Sequence, residues 1–471
     1  MSARTTKGER RPNTVVARDL PEDAHVAYVT DAEGNLGYLR RVLSATRGVS
    51  FSASCDSASA AVCSERIILE ENCFLVFGGD VVDKFTEDIQ LVKILLQAHR
   101  DYPGRVFFIL GNRDVNKLRF MSELDEQVKG TTIEVYWDSN AKSYASYLES
   151  KQLQDTKVNQ LKWMLECTMG CAETFEFRRT ELAKLSAEEH STEVTDTQVL
   201  ESFRKSVNPS HGDPWMLNFI ERGQFALRLG PYLFVHGALL SRNVGKLPHS
   251  DEIVSDLDTW LAGFDSFLQT HIAAYRENPL FQEDGTRNGE AILDYVVPRG
   301  GHDRTIVYAD YTVDGNATPL DSSVVAYLQQ NSVSVVVSGH KPHGDCPTVI
   351  RHSLENGDSV IAITCDTSYS KFSSPDRRGN VFAAVECHFG HVEVHGELLS
   401  GVTHRYQLHW KKDAEFEPFS LIGRQLQDDS WVKTVLMKDP PDQPVVLAGK
   451  GEGFKMNIRE LGVDETRAQL K

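Results

Sequence analysis

The sequence predicts an α/β fold built on a layered sheet. Short apolar runs alternate with amphipathic stretches in the N-terminal part, and apolar runs return late in the chain after two long helical blocks. With 41% hydrophobic residues among 471, the chain can bury a large core, and its length suggests roughly two to four domains.

The elements follow in order. Residues 1–24, opening with "MSARTTKGERRP", are polar and basic and read as a disordered tail. "VAYVT" reads as a strand before the helix "NLGYLRRVLSAT", "CFLVF" precedes "TEDIQLVKILLQAH", and "RVFFIL" precedes "DVNKLRFMSELDEQV". The small-residue stretch "SFSASCDSASAAVCS" between the first helix and second strand reads as a mobile surface loop. Residues from about 130 to 222 carry helical periodicity without a strand and read as an insertion; a second helical block, about 250–276, follows the strand "PYLFVHG". Apolar runs then return in "SVSVVVSGH", "VIAITCDTS", "NVFAAVEC" and "HVEVHGELL", the later ones spaced like an antiparallel meander. The domain is expected over 25–400, with 401–471 an extension of unassigned role. Within that extension "AGKGEGF" lacks the Gly-Lys-Ser/Thr ending of a phosphate loop and reads as a flexible turn.

Composition narrows the function classes. A formal net charge of −17, from 67 acidic and 50 basic residues, repels a nucleic-acid backbone at long range. No apolar run is long enough to span a bilayer and no apolar leader opens the chain, so a soluble, cytoplasmic protein without membrane partners is expected. Eight scattered cysteines fit a reducing compartment, and Cys167 and Cys171 in "CTMGC" have no second pair nearby to complete a zinc set.

The chemistry gathers at the ends of the apolar strands. "LVFGGDVVDKF" stops at two glycines and then presents Asp80 and Asp83; "VAYVTDAEGN" ends with Asp31 and Glu33, which point to one side of an extended backbone. "FFILGNRD" ends with Asn112, Arg113 and Asp114, "LFVHG" with His236, and "VVVSGHKPHG" with His340 and His343. Ligands of α/β sheets gather outside the carboxyl ends of strands, so these groups are expected to converge. Oxygen and imidazole donors without thiolates suit Mn, Fe, Zn or Mg.

As an ordered set these motifs resemble the calcineurin-like metallophosphoesterases, nearest the branch of serine/threonine protein phosphatases and diadenosine polyphosphate hydrolases. The family runs Asp-x-His, Gly-Asp-x-x-Asp, Gly-Asn-His-Asp/Glu, His and Gly-His. This chain offers Asp31-Ala32-Glu33, Gly79-Asp80-Val81-Val82-Asp83, Gly111-Asn112-Arg113-Asp114, His236 and Gly339-His340, with "CDTSYS" like the strand end that follows in that branch. The resemblance spans about His25 to His395. It implies a β-sandwich flanked by helices, with two divalent ions, Mn favoured, bridged by Asp80. One ion would take Asp80, Asn112, His236 and His340; the other would take Asp31, Asp80 and Glu33, with His343 a lower-ranked substitute. It also implies hydrolysis of a phosphorylated protein or small molecule by direct attack of a hydroxide shared by the ions. Asp83 and Asp114 would orient neighbouring catalytic groups.

Three departures shape the expected chemistry. Glu33 stands where the family has histidine, which favours harder ions. Arg113 stands where the family's histidine serves as general acid or charge stabiliser; arginine holds its proton, so it would bind phosphoryl oxygens and stabilise developing charge instead. Lys84 replaces the phosphate-gripping arginine of protein phosphatases, and Arg299 and Arg304 in "VVPRGGHDRT" are further phosphate-binding expectations. A phosphomonoesterase or phosphoprotein phosphatase is the first reading. A nucleotide pyrophosphohydrolase, or a non-catalytic phospho-binding scaffold using the helical insertions to meet protein partners, are the alternatives.

Overall fold

The computed structural model describes residues 17–55, 63–132, 142–186, 193–298, 301–342, 344–367, 381–414, 416–437, 444–453 and 455–471. Two sheets dominate. In the larger, seven-stranded sheet, His25–Val29, Cys73–Phe77 and Val106–Ile109 run parallel, with His25 opposite Cys73 and Leu75 opposite Val106. In its other half Phe382–His388, joined to His25–Val29, and His391–Glu397 form the expected antiparallel meander, and Thr403–His409 adds a third antiparallel strand. In the six-stranded sheet Tyr232–Val235, Val335–Ser338 and Ser359–Thr364 are parallel neighbours.

Strand alternation explains the layering. Val26 and Tyr28 belong to the core between the sheets with Phe234, Val335, Val337 and Ile361, whereas Ala27 and Val29 face outward into a second core shared with the helices. Tyr28 stacks on Phe234 across the two sheets at 5.7 Å. The outer layers include Leu36–Ala45 and Asp88–Asp101 over one sheet and Leu257–Glu277 and Ser322–Gln330 over the other. Leu36–Ala45 starts where Asn35 accepts the amide of Tyr38 at 2.8 Å, and its apolar positions Leu36, Leu39, Val42 and Leu43 recur on one face. Because the parallel strands end on the same side, their loops meet at one edge of the sandwich.

Four expectations are corrected. The tail is ordered from residue 17: Ala17–Arg18 pairs with Arg228–Leu229, and Leu20 and Ala24 are buried. The small-residue insert forms an antiparallel hairpin, Val49–Cys55 against Cys63–Leu69, since "CSERIIL" supplies a partner strand; residues 56–62 lie outside the described residues. The boundary at 400 cuts through the fold, because Thr403–His409 is the edge strand of the larger sheet and Ile422, Val432 and Val446 enter the core between the sheets. "AGKGEGF" is largely strand, within Val445–Glu452, where Gly451 lets the chain pass closely beside Gly315. The helical block includes Tyr144–Lys151, Lys157–Trp163, Thr174–Ser186, Asp196–Val207 and Trp215–Arg222, and no described helix is long and apolar enough to cross a membrane.

At the outer end of the meander His388 and His391 flank a tight turn, with rings stacked at 4.6 Å, and His409 lies 5.2 Å beyond. Burial, then the neighbouring His388 and His409, pushes His391 from 6.5 down to about 4. The unfolded chain therefore binds this proton in a window where the folded chain does not, and stability falls as pH drops from about 6.5 towards 4. His391→Asn should flatten that part of the stability profile in urea unfolding; an unchanged slope would show that the ring is not held neutral.

Candidate metal centre

Six strand ends deliver polar side chains to one edge of the sandwich. Asp31 and Glu33 follow His25–Val29, Asp80 and Asp83 follow Cys73–Phe77, and Asn112 opens the helix directly after Val106–Ile109. His236 ends Tyr232–Val235, His340 lies just past Val335–Ser338, and Asp366 lies just past Ser359–Thr364. Backbone hydrogen bonds tie these loops together, from Asp31 to the Gly79 carbonyl at 2.9 Å, from Glu33 to that of Asp80 at 3.0 Å, and from Gly339 to that of His236 at 2.9 Å.

The backbone is strained here. Asp31, Glu33, Asp80, Asp83 and His340 have φ of 50, 44, 53, 117 and 72°, and they make up half of the ten non-glycine residues with positive φ among the described residues. Each such residue costs on the order of 1–3 kcal/mol, and it persists only where the surroundings over-determine it. Gly79 is required by its φ of 102° and by the 2.6 Å that a Cβ would leave to His236 Nδ1. A Cβ at Gly111 would collide with the Asp80 carboxylate, so Gly111→Ala should weaken divalent-ion binding at least about tenfold in titration calorimetry, the scale of a disturbed ligand-orienting contact. Retained affinity would mean that Asp80 is not a ligand.

Ligand atoms of Asp80, His236 and His340 lie within 4.8 Å of one another, and so do those of Asp31, Glu33 and Asp80. The first group fits a divalent cation. Asn112 Oδ1, His236 Nε2 and His340 Nδ1 are buried without a hydrogen-bond partner among the described residues, a costly arrangement that a bound cation relieves. His236 Nδ1 sits 2.8 Å from the Gly78 carbonyl, which fixes the ring with Nε2 facing Asp80; at 3.4 Å that contact is an ion pair rather than a hydrogen bond. Burial and the adjacent His236 push His340 down to about 3, leaving its imidazole neutral with a lone pair to give. Burial would raise the Asp80 carboxyl, but His236 and Arg113 hold it well below the usual range.

The second group is arranged differently. Arg113 Nε lies 2.9 Å from Glu33 Oε1 and 3.5 Å from Asp80 Oδ2. Its Nη1 donates to the Met169 carbonyl at 3.1 Å and lies 3.4 Å from Asp83 Oδ2. Burial alone would lower the Arg113 pKa, yet Glu33, Asp83 and Asp80 raise it, so the guanidinium is a permanent charge. Lys84 Nζ stands 3.8 Å from Glu33 Oε2.

Of the two remaining acids, Asp114 serves the scaffold and Asp83 holds Arg113. Asp114 accepts backbone N–H groups from Asp80, Val81 and Gly111 at 3.0, 2.8 and 2.8 Å, so it shapes the loop that presents Asp80 instead of orienting a catalytic side chain. Asp83 is buried and receives Lys117 Nζ at 2.6 Å as well as Arg113. Arg299 and His343 lie outside the described residues, as do residues 368–370 of "CDTSYS". Arg304 lines a different cleft, with Arg242, Lys246 and His249.

Sequence reasoning missed several groups. A cleft of about 270 Å³ in front of Asp80 and His340 is lined by the expected Lys84 and Arg113 and also by His302, Tyr308, Asp310 and Lys341, the last two paired at 3.0 Å. His302 and Tyr308 belong to the connection after the helix Glu290–Val296, where no strand end signals a site. The helical insertion backs the centre: Thr174 donates its hydroxyl to the Asp83 carbonyl, and Glu181 Oε1 accepts the amides of Ile89 and Gln90 at 2.9 and 3.1 Å.

The chain is similar to several solved structures. The cold-active protein-tyrosine phosphatase of the psychrophile Shewanella sp. matches at 12% identity over 84% of this chain and 85% of that one, with a TM-score of 0.39. A protein serine/threonine phosphatase from Saccharomyces cerevisiae matches at 11% identity over 86% and 85%, with a TM-score of 0.35. A metallophosphoesterase from Sphaerobacter thermophilus matches at 10% identity over 82% and 89%, with a TM-score of 0.29. No protein-family model matches the chain, and no curated protein matches it in sequence. At likeness this distant, the residues of the centre carry the functional reading.

Proposed function

We propose that this chain is a metal-dependent phosphoesterase that hydrolyses phosphate monoesters of small molecules or proteins. One observation carries the reading: buried, unpartnered ligand atoms of His236 and His340 gather with the Asp80 carboxylate, and Asp80, His340 and the likewise unpartnered Asn112 line a cleft that also presents cationic side chains. Asp80, Asn112, His236 and His340 would hold a divalent ion, with Mn suited to this mixed oxygen and imidazole set. Such an ion supplies Lewis-acid polarisation of the phosphoryl group and of water at neutral pH.

The chain's own residues do the rest. Lys84 and Lys341, at the cleft wall, attract the substrate's phosphate, while Arg113 sets a fixed positive charge beside Asp80 where negative charge develops on the phosphoryl oxygens. His236 is held by Gly78 so that Nε2 stays aimed at Asp80. Arg113 holds its proton permanently and does not pass one to a leaving oxygen. Substrates with good leaving groups, such as aryl phosphates, phosphotyrosine or anhydrides, should therefore be preferred.

Metal-stripped protein should be inert toward p-nitrophenyl phosphate and gain turnover on adding Mn²⁺. Folded protein that stays inert with Mn, Mg, Zn and Fe would refute the hydrolase and favour a phospho-binding scaffold. Against an alkyl phosphate, kcat/KM for the aryl ester should be higher by about 10²-fold, the lower end of what general acid catalysis supplies when present. Equal rates on the two would remove the electrostatic role given to Arg113.

A further inference from the structure

We propose that Arg113 stands in for a second metal ion, so that the centre holds a single divalent cation, at Asp80, Asn112, His236 and His340, beside a built-in guanidinium. The proposal rests on the metal-dependent reading above and narrows the pair of ions that the sequence resemblance implies.

The two ligand groups share Asp80 but differ in what already lies among them. Around His236 and His340, the ligand atoms Asn112 Oδ1, His236 Nε2 and His340 Nδ1 are buried without a hydrogen-bond partner among the described residues. Among the carboxylates a cation is in place, with Arg113 Nε 2.9 Å from Glu33 Oε1 and 3.5 Å from Asp80 Oδ2. This side chain is not a mobile surface arginine that could swing away. Its backbone N–H donates to Asp80 Oδ1 at 3.0 Å, and its Nη1 is tied to the Met169 carbonyl and to Asp83. Asp83 in turn is held by Lys117 at 2.6 Å.

The donor chemistry agrees with this division. Glu33 stands where an imidazole would ligate an ion, and a carboxylate matches a guanidinium better than an imidazole does. Lys84, 3.8 Å from Glu33 Oε2, adds a further positive charge. Asp31, Glu33 and Asp80 bring three negative charges to this side, and Arg113 and Lys84 already offset two of them. A dication placed there would face a buried positive charge at ion-pair range, which low-dielectric surroundings make strongly unfavourable. The fixed guanidinium keeps the charge-stabilising half of a two-ion arrangement while giving up that ion's ability to activate water.

The test counts ions and reads their coupling without relying on turnover. Metal-stripped wild-type protein is titrated with Mn²⁺ by calorimetry, bound Mn is counted after gel filtration, and the electron paramagnetic resonance spectrum is recorded. One tightly bound ion with the hyperfine pattern of isolated Mn²⁺ is expected; His340→Ala should lose it and Glu33→Gln should keep it. Arg113→Ala, or Arg113→Gln if the alanine variant does not fold, should gain a second ion and an exchange-coupled spectrum. Two coupled ions in the wild type would overturn the stand-in role while leaving the metal-dependent function intact. No bound ion in folded wild-type protein would overturn both.

Discussion

Asp80→Asn is expected to abolish metal-dependent turnover, lowering kcat on p-nitrophenyl phosphate by at least about 10²–10³-fold, the range lost when one preorganised charge-stabilising group is removed. Asp80 is the one residue common to both ligand groups, and it is also paired with His236 and Arg113. The substitution preserves its shape and its place in the strained turn, where asparagine tolerates a φ of 53°. Loss of activity would then report loss of charge rather than collapse of the loop, provided circular dichroism shows the variant folded. Turnover within a few-fold of wild type would place the chemistry elsewhere.

The second large effect is on stability. Arg178, from the helix Thr174–Ser186, is buried, donates to Asp88 at 2.9 Å and stands at ion-pair range, 3.5 Å, from Glu181, with Phe203 and Trp215 against its guanidinium face at 4.3 and 5.1 Å. Arg178→Met keeps the packing but strands two buried carboxyls, and should cost about 3–5 kcal/mol in urea unfolding. Burial already pushes Glu181 from 4.5 up to about 7 despite its arginine partner. Without Arg178 the Glu181 carboxyl is held protonated to still higher pH, so the extra loss should deepen as pH rises above about 7, where the wild-type carboxyl ionises and the variant's does not. Because Asp88 Oδ1 accepts the Asp83 amide at 3.0 Å, the loop carrying Asp80 and Asp83 should loosen too and activity should fall with stability. A loss under about 0.5 kcal/mol, the ordinary size of a surface change, would show that the insertion does not anchor the centre.

How much of this was legible depends on whether the signal is local. Apolar strands followed by Gly-Asp, Gly-Asn or Gly-His can be read in a few residues, and the structure brings Asp31, Glu33, Asp80, Asn112, His236 and His340 to one edge. The role of Asp114 was not legible, because the three amides it accepts belong to two separate loops. Nor was the anchoring of Arg113 by Met169, or of Asp88 by Arg178, since those partners lie 56 and 90 residues apart in sequence. The edge strand Thr403–His409 did carry a signal, with His404, Tyr406 and Leu408 on its inward face, but two interspersed histidines blurred the alternation. The hairpin Val49–Cys55 was hidden by serine and alanine, which have weak strand preference; its pairing with Cys63–Leu69 is what makes it a strand.

The most direct measurement of the central claim is anomalous diffraction from a crystal equilibrated with Mn²⁺. A manganese peak within bonding distance of Asp80, Asn112, His236 and His340, with no peak between Asp31 and Glu33, is the result predicted. Crystals of folded protein with no manganese at the histidine side of Asp80 would contradict it.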